Sequence, residues 1–218
     1  MTRTVSGYFK KQLKRVLVAL EIQRLSKLTP FDYIRVGSLE RVAEEIYANS
    51  VAGSVAELGV YKGDFAKHIN SAFPDRKLYL FDTFAGFSEK DKDVEIGGGF
   101  SAANENFSDT SIELVVKKME HPKNLIIRAG YFPESIQDAD KQESFAFVSL
   151  DADLYKPIYE GLQFFYPRLN KGGYIFVHDY NYEAYPGAKL AVRNYCREQG
   201  IHYFPLLDPG GSAIIAKG

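Results

Sequence analysis

From Gly53 onward the sequence alternates short apolar runs with amphipathic stretches, and that rhythm leaves few folds open. Val55–Leu58, Leu78–Phe81, Leu125–Arg128, Phe145–Leu150 and Tyr174–Val177 have strand length and are rich in β-branched or aromatic residues. Between them Asp64–Phe73, Ile112–Met119, Pro157–Leu169 and Ala188–Arg197 read as helices, the first stopped by Pro74. Strands alternating with helices signal βαβ units and a parallel sheet. The end of the chain departs from that pattern. His202–Leu207 and Ala213–Ala216 flank Pro209-Gly210-Gly211, a turn too short for a parallel crossover, so these two strands must pair antiparallel.

The 218 residues suit one α/β domain, expected over 51–218, with an N-terminal helical segment over 1–50. Phe9, Leu13, Val16, Leu17 and Leu20 recur at helical spacing within 8–26, and a second helix is expected to start at Ser38 as N-cap. Residues 1–27 hold seven cations and one anion. A basic amphipathic helix there can cap the domain, touch a membrane surface or pair with a second subunit, and a homodimer is the expectation. The net charge of −1 argues against a nucleic-acid binder. No apolar run approaches the ~18 residues of a membrane span. A single cysteine, Cys196, excludes an internal disulfide and a Cys-rich zinc site, which points to a reducing, cytoplasmic setting.

Two sets of residues carry chemistry. The first lies after the first two strands. Glu57-Leu58-Gly59-Val60-Tyr61-Lys62-Gly63 puts two glycines between a strand and a helix, where backbone can approach a ligand closely. The spacing is not G-x-G-x-x-G, which disfavours an NAD-linked oxidoreductase. Asp82 ends the second strand, where an acid can hold both hydroxyls of a ribose or simply cap a turn. The second set follows strands four and five: Asp151-Ala152-Asp153 and His178-Asp179. Ligands of open α/β sheets bind beyond the carboxyl ends of the strands, so both sets converge on one crevice. Three carboxylates there need a cation or a proton to offset their repulsion, and a hard divalent metal suits them. The plainer alternative makes Asp153 a helix cap and His178 a neutral core residue.

Five stretches, AELGVYKGDFAKHIN, LYLFDTFAGFSEKD, AGYFPES, VSLDADLYKPIYEGL and GGYIFVHDY, together resemble the macrocin O-methyltransferase family, from about Val55 to Asp179. The resemblance implies a Rossmann-like methyltransferase fold with strand order 3-2-1-4-5-7-6 and an antiparallel last strand. It also implies S-adenosylmethionine and a divalent metal, magnesium or manganese, as cofactors. The acceptor would be a hydroxyl of a sugar, glycoside or related natural product or polysaccharide.

By the same resemblance Glu57, Gly59, Tyr61 and Gly63 would shape the cofactor loop and Asp82 would hold the ribose. Thr83, Phe84, Thr110, Ser111 and Gly130 would line the adenosyl side, with Asp151 beside the cofactor as well. Asp151 and Asp179 match metal carboxylates, and Asp153 matches the general base. His178 stands where family members often carry a second acid; it would be a third metal ligand or a second candidate for the proton. Imidazole is a poor magnesium ligand and a good one for manganese or iron. Residues 84–108, with Phe84, Phe87, Phe100 and Phe107 around Gly97-Gly98-Gly99, read as a long connection suited to a lid. A catalytically silent cofactor-binding scaffold is the remaining alternative.

Overall fold

The computed structural model describes Val16 and residues 33–218. The helix expected over 8–26 and its role in dimerisation therefore lie outside the described residues, Val16 apart. Seven strands form one sheet: β1 Ser54–Leu58, β2 Leu78–Asp82, β3 Leu125–Ala129, β4 Phe145–Leu150, β5 Leu169–Val177, β6 Phe204–Leu206 and β7 Ser212–Ala216. Their order is β3-β2-β1-β4-β5-β7-β6. The pairs from β3 to β5 are parallel, and β7 runs antiparallel to both β5 and β6. The expected strand order and the antiparallel closing hairpin are both present.

The helices are α1 Tyr33–Ala48, α2 Ala66–Ala72, α3 Glu89–Gly97, α4 Ile112–Lys117, α5 Asp138–Lys141, α6 Tyr155–Arg168 and α7 Pro186–Gln199. β1 and β4 are buried along their whole length because helices cover both faces of the sheet. One core packs Phe81, Phe145, Phe165 and Ile175, and the other packs Leu80, Phe147 and Phe176 with Leu39, Ala43 and Ile46 of α1. Burying side chains of that size stabilises by about 1.5–3 kcal/mol each. So α1 is anchored in the same core as the sheet, across the division expected at residue 50.

Three local expectations give way. α1 begins at Tyr33, with Ser38 inside it, because its buried stripe of Arg35, Val36, Leu39, Ala43 and Ile46 extends upstream. The 84–108 connection contains α3, whose N-cap Ser88 accepts a bond from Lys90 N–H at 3.2 Å. The strand expected over Tyr174–Val177 starts earlier, at Leu169, so that Gly172 and Gly173 lie in β5 and exchange backbone bonds with Lys217 at 2.7 and 3.0 Å. Among the described residues no helix is long and apolar enough to cross a membrane.

The strand order reverses between β1 and β4, which opens a crevice at their carboxyl ends. Backbone bonds carry the ladder past the strand ends: Gly59 N–H to Phe81, Gly130 N–H to Asp82, Asp151 N–H to Leu58 and His178 N–H to Leu150, all at 2.8–2.9 Å. The loops after β1, β3, β4 and β5 are thereby fixed around one opening.

Candidate active site

That opening is a cavity of about 330 Å³, within the size range of small-molecule sites. Its wall on the β1–β3 side includes Glu57, Gly59, Tyr61, Asp82, Thr83 and Gly130. Gly59 has φ of +82°, and a Cβ there would overlap the Asp151 carbonyl, with its carbon 2.6 Å away. The glycine is thus required by the close approach of the β1 loop to the end of β4. Gly63, at φ +76°, faces Val115 of α4 rather than the cavity. Asp82 is committed to backbone: Oδ2 accepts from Val60 and Tyr61 N–H at 2.7 and 2.9 Å, and Oδ1 accepts from Phe84 N–H at 2.6 Å. The turn-capping role is therefore realised, while the side chain still faces the cavity.

Phe84, Thr110 and Ser111 do not line the cavity. Phe84 packs against the Leu80–Phe147 core, and Ser111 caps α4 by accepting from Leu114 N–H at 3.2 Å. Thr110 donates to the Tyr61 carbonyl, and Tyr61 donates to Asp109 at 2.6 Å. These residues brace the β1 loop, whose Tyr61 sits at φ +48°.

Asp151, Asp153, His178 and Asp179 all reach the cavity from the ends of β4 and β5. Asp153 lies at φ +58° in a tight turn closed by Leu154 N–H to Ala152 carbonyl at 2.5 Å, and Asp179 lies at φ +55°. Such left-handed aspartates cost energy, which the surrounding ladder must offset. His178 Nδ1 is 3.0 Å from both Asp151 Oδ1 and Asp179 Oδ2, while Nε2 lies 3.1 Å from the Pro209 carbonyl. The nearest ligand atoms of Asp151, His178 and Asp179 lie within 4.8 Å of one another.

A cation that the sequence pattern does not reveal completes the cluster. Arg35 of α1 is 4% exposed; it donates to Asp151 Oδ2 at 2.9 Å and to Ser149 Oγ at 3.0 Å, and lies 3.6 Å over the Phe65 ring. Its signal was a charged residue on the apolar stripe of a helix, hidden because the helix was expected to start at Ser38. Burial alone would raise the Asp151 pKa, but Arg35 and His178 hold it well below the usual carboxylate range. Burial and the Arg35 charge press the His178 pKa down, and the bonds to Asp151 and Asp179 outweigh them, lifting it to about 10. Asp153 goes the other way: burial, then its neighbours Asp179 and Asp151, push its pKa well up. Glu57 is also raised, first by burial and then by Asp151. The cluster thus sets an Asp151 carboxylate held as an anion beside an Asp153 whose affinity for a proton is raised.

Over the cavity, Phe107 packs edge-on against Tyr61 and Phe87, each at 5.1 Å, and Phe87 meets Tyr185 at 5.9 Å. Phe87 and Phe107 of 84–108 thus form a roof, and Glu95 of α3 ties that segment down by accepting from Tyr155 N–H at 2.9 Å.

A family model described as Macrocin-O-methyltransferase (TylF) matches residues 28–208. The chain belongs to this family. It is accordingly an O-methyltransferase, and the matched span takes in α1 with Arg35 as well as every loop around the cavity. Mycinamicin III 3''-O-methyltransferase of Micromonospora griseorubida is 27% identical over 179 residues, covering 77% of this chain and 69% of the relative. A tetracenomycin rhamnosyl 4'-O-methyltransferase of Streptomyces olivaceus is 25% identical over 192 residues, covering 83% and 72%. Among solved structures, the O-methyltransferase NovP superimposes with a TM-score of 0.68 at 21% identity, covering 85% of this chain and 80% of NovP. That likeness shows the shared fold.

Proposed function

We propose that this enzyme transfers the methyl group of S-adenosylmethionine to a hydroxyl of a sugar, glycoside or related natural-product or polysaccharide acceptor, with a divalent metal at the acceptor end. The observation that carries the reading is the division of one cavity into two chemically different halves: glycine-rich loops at β1–β3, and a carboxylate–imidazole cluster at β4–β5. The named relatives methylate glycosidic natural products, which supports that acceptor class.

The cofactor half fits the methionyl end of the ligand. Arg35 Nε and Glu57 Oε2 are both buried without a hydrogen-bond partner, and both side chains border the cavity. Unsatisfied buried polar atoms are rare and mark a missing partner. When bound, S-adenosylmethionine supplies an electrophilic methyl on a sulfonium. Asp82 orders the β1 loop that meets it, and its carboxylate keeps lone pairs for ribose hydroxyls.

The donor set at β4–β5 fits a divalent ion. Ligand atoms 3.0 Å apart match the separation of adjacent ligands around an ion held at about 2.1 Å. With Nε2–H donating to Pro209, Nδ1 would serve as the lone-pair ligand once the ion displaced its proton, the second-sphere arrangement usual for metal-bound histidine. Asp151, His178 and Asp179 would hold the ion, which when bound lowers the pKa of a coordinated hydroxyl. Arg35 keeps Asp151 ionised and occupies its second oxygen. Asp153 would receive the acceptor's proton as its oxygen takes the methyl; proximity to the cluster supports it, and His178 is the weaker candidate. The aromatic roof would keep water from the reacting groups.

We also propose that the catalytic unit starts at α1 rather than at residue 51, since Arg35 belongs to the site. Calorimetry with S-adenosylhomocysteine tests the cofactor half: one equivalent should bind, and an absence of binding would overturn the reading.

A further inference from the structure

Asp91 is a carboxylate that the proposed reaction does not use. It sits on α3 in the first turn, three residues after the N-cap Ser88, where an acid ordinarily reaches back to the N-cap backbone N–H. Here it turns instead toward the β3 loop, where Tyr131 donates to its Oδ1 at 3.2 Å. It is 7% exposed and borders the cavity beside Ser88, Gly130, Phe132 and Pro157.

The cations near Asp91 are engaged elsewhere. Lys156 donates to the Tyr131 hydroxyl at 2.6 Å, and Lys90 pairs with Glu134 at 2.5 Å. The Lys156 bond occupies a lone pair of the Tyr131 oxygen, so the phenol proton is left for Asp91. Among the described residues no other side chain or backbone group is hydrogen-bonded to this carboxylate. Burial is the first cause of its pKa rising to about 6, with only partial relief from Tyr131 and Lys156. A buried carboxylate kept at such cost, beside a cavity, marks a place where a ligand donor is wanted.

Which donor follows from position. β3 stands three strand spacings from β4, about 14 Å at ~4.8 Å per spacing. Asp91 meets the β3 edge through Tyr131, the second residue after that strand. A nucleoside laid along the β1–β3 edge, with its ribose at Asp82, would bring its base to Asp91, Tyr131 and the apolar walls of Phe132 and Pro157. Of the groups on adenine's rim, only the exocyclic amine donates hydrogen bonds.

We propose that Asp91 reads the 6-amino group of the cofactor's adenine and so selects adenosyl ligands. Tyr131 and Lys156 are positioning residues that aim the carboxylate. The proposal rests on the S-adenosylmethionine reading and names one more residue of that site.

The test compares S-adenosylhomocysteine with S-inosylhomocysteine, whose 6-oxo group would face the carboxylate with lone pairs. Calorimetry on the full chain should show the adenosyl ligand binding about 10- to 100-fold more tightly, the range of one charge-assisted hydrogen bond. Asp91→Asn should weaken the adenosyl ligand by a similar factor and abolish or reverse the preference, because an amide N–H can donate to a 6-oxo group. Tyr131→Phe should keep the preference but reduce it, since the carboxylate remains and only its aim is lost. Equal affinity of the wild type for both ligands would overturn the assignment, as would an unchanged preference in Asp91→Asn. Should Asp91→Asn not fold, the wild-type preference and its reduction in Tyr131→Phe decide. A wild type that binds neither ligand would overturn the cofactor reading itself.

Discussion

Replacing Arg35 with methionine keeps the length and apolar stem of the side chain and removes its charge. In the wild type the guanidinium reaches Asp151 at 2.9 Å and Ser149 at 3.0 Å while stacked 3.6 Å over Phe65. The Asp151 bond is charge-assisted, worth about 1.5–3 kcal/mol, and a desolvated cation–π contact adds about 2 kcal/mol. Methionine also relieves the cost of burying a cation, but it leaves Asp151 with His178 as its remaining ionic partner. Breaking one side of a buried pair costs about 3–5 kcal/mol, and that is the expected loss for Arg35→Met. Urea denaturation of the full chain measures it. A cycle with Asp151→Asn isolates the pair: the double variant should be less destabilised than the sum of the singles by about 2 kcal/mol. A coupling below about 0.5 kcal/mol would refute the reasoning, because Arg35 would then be held by packing alone. Arg35→Lys should recover only part of the loss, since a point charge cannot serve Asp151 and Ser149 as a fork does.

Gly59→Ala should cost at least about 3 kcal/mol or prevent folding, because its Cβ would overlap the Asp151 carbonyl in a left-handed backbone; a melting temperature near that of the wild type would contradict the close approach. Asp82→Ala should lower stability by about 2–4 kcal/mol even without ligand, since three backbone N–H groups lose their acceptor, and ligand-free calorimetric melting checks this. Asp91, at about 6 against an ordinary 3.8, binds its proton more tightly folded than unfolded. Its contribution is therefore full below about pH 4 and is lost as pH rises through 6. Asp91→Asn should gain on the wild type across that window by no more than about 3 kcal/mol, and a flat difference in denaturation midpoint across it would count against the buried carboxylate.

Much of this arrangement was legible because strands and loops punctuate the sequence sharply. The apolar runs, the closing Pro209–Gly211 turn and the acids at the ends of β2, β4 and β5 gave the sheet and the rim of the cavity. What escaped was long-range. Arg35 comes from a helix outside the βαβ pattern, and only the packing of α1 on the sheet brings it to Asp151, 116 residues away. Gly59 was read as room for a ligand, yet the approach it permits is to β4, a contact that no local pattern displays. Asp91 hides in a Ser-x-x-Asp spacing that reads as a helix cap. Thr110 and Ser111 are near the site in sequence pattern but turn their hydroxyls to backbone. Charge arithmetic had asked for a cation beside Asp151, and part of the answer is Arg35.

In the proposed reaction one end of the cavity carries the methyl donor and the other activates an acceptor hydroxyl through Asp151, His178, Asp179 and Asp153. The most direct measurement is mass spectrometry of demethylated glycosides incubated with the full chain and S-adenosylmethionine, in parallel with manganese, with magnesium and with excess chelator. A mass gain of one methyl in place of one hydrogen is expected with metal present. That gain should disappear in chelator and fall by ~100- to 10,000-fold in Asp153→Asn, the span of a lost general base. Undiminished methylation in chelator and in Asp153→Asn would contradict it, leaving the acidic cluster a structural element beside a site that works without it.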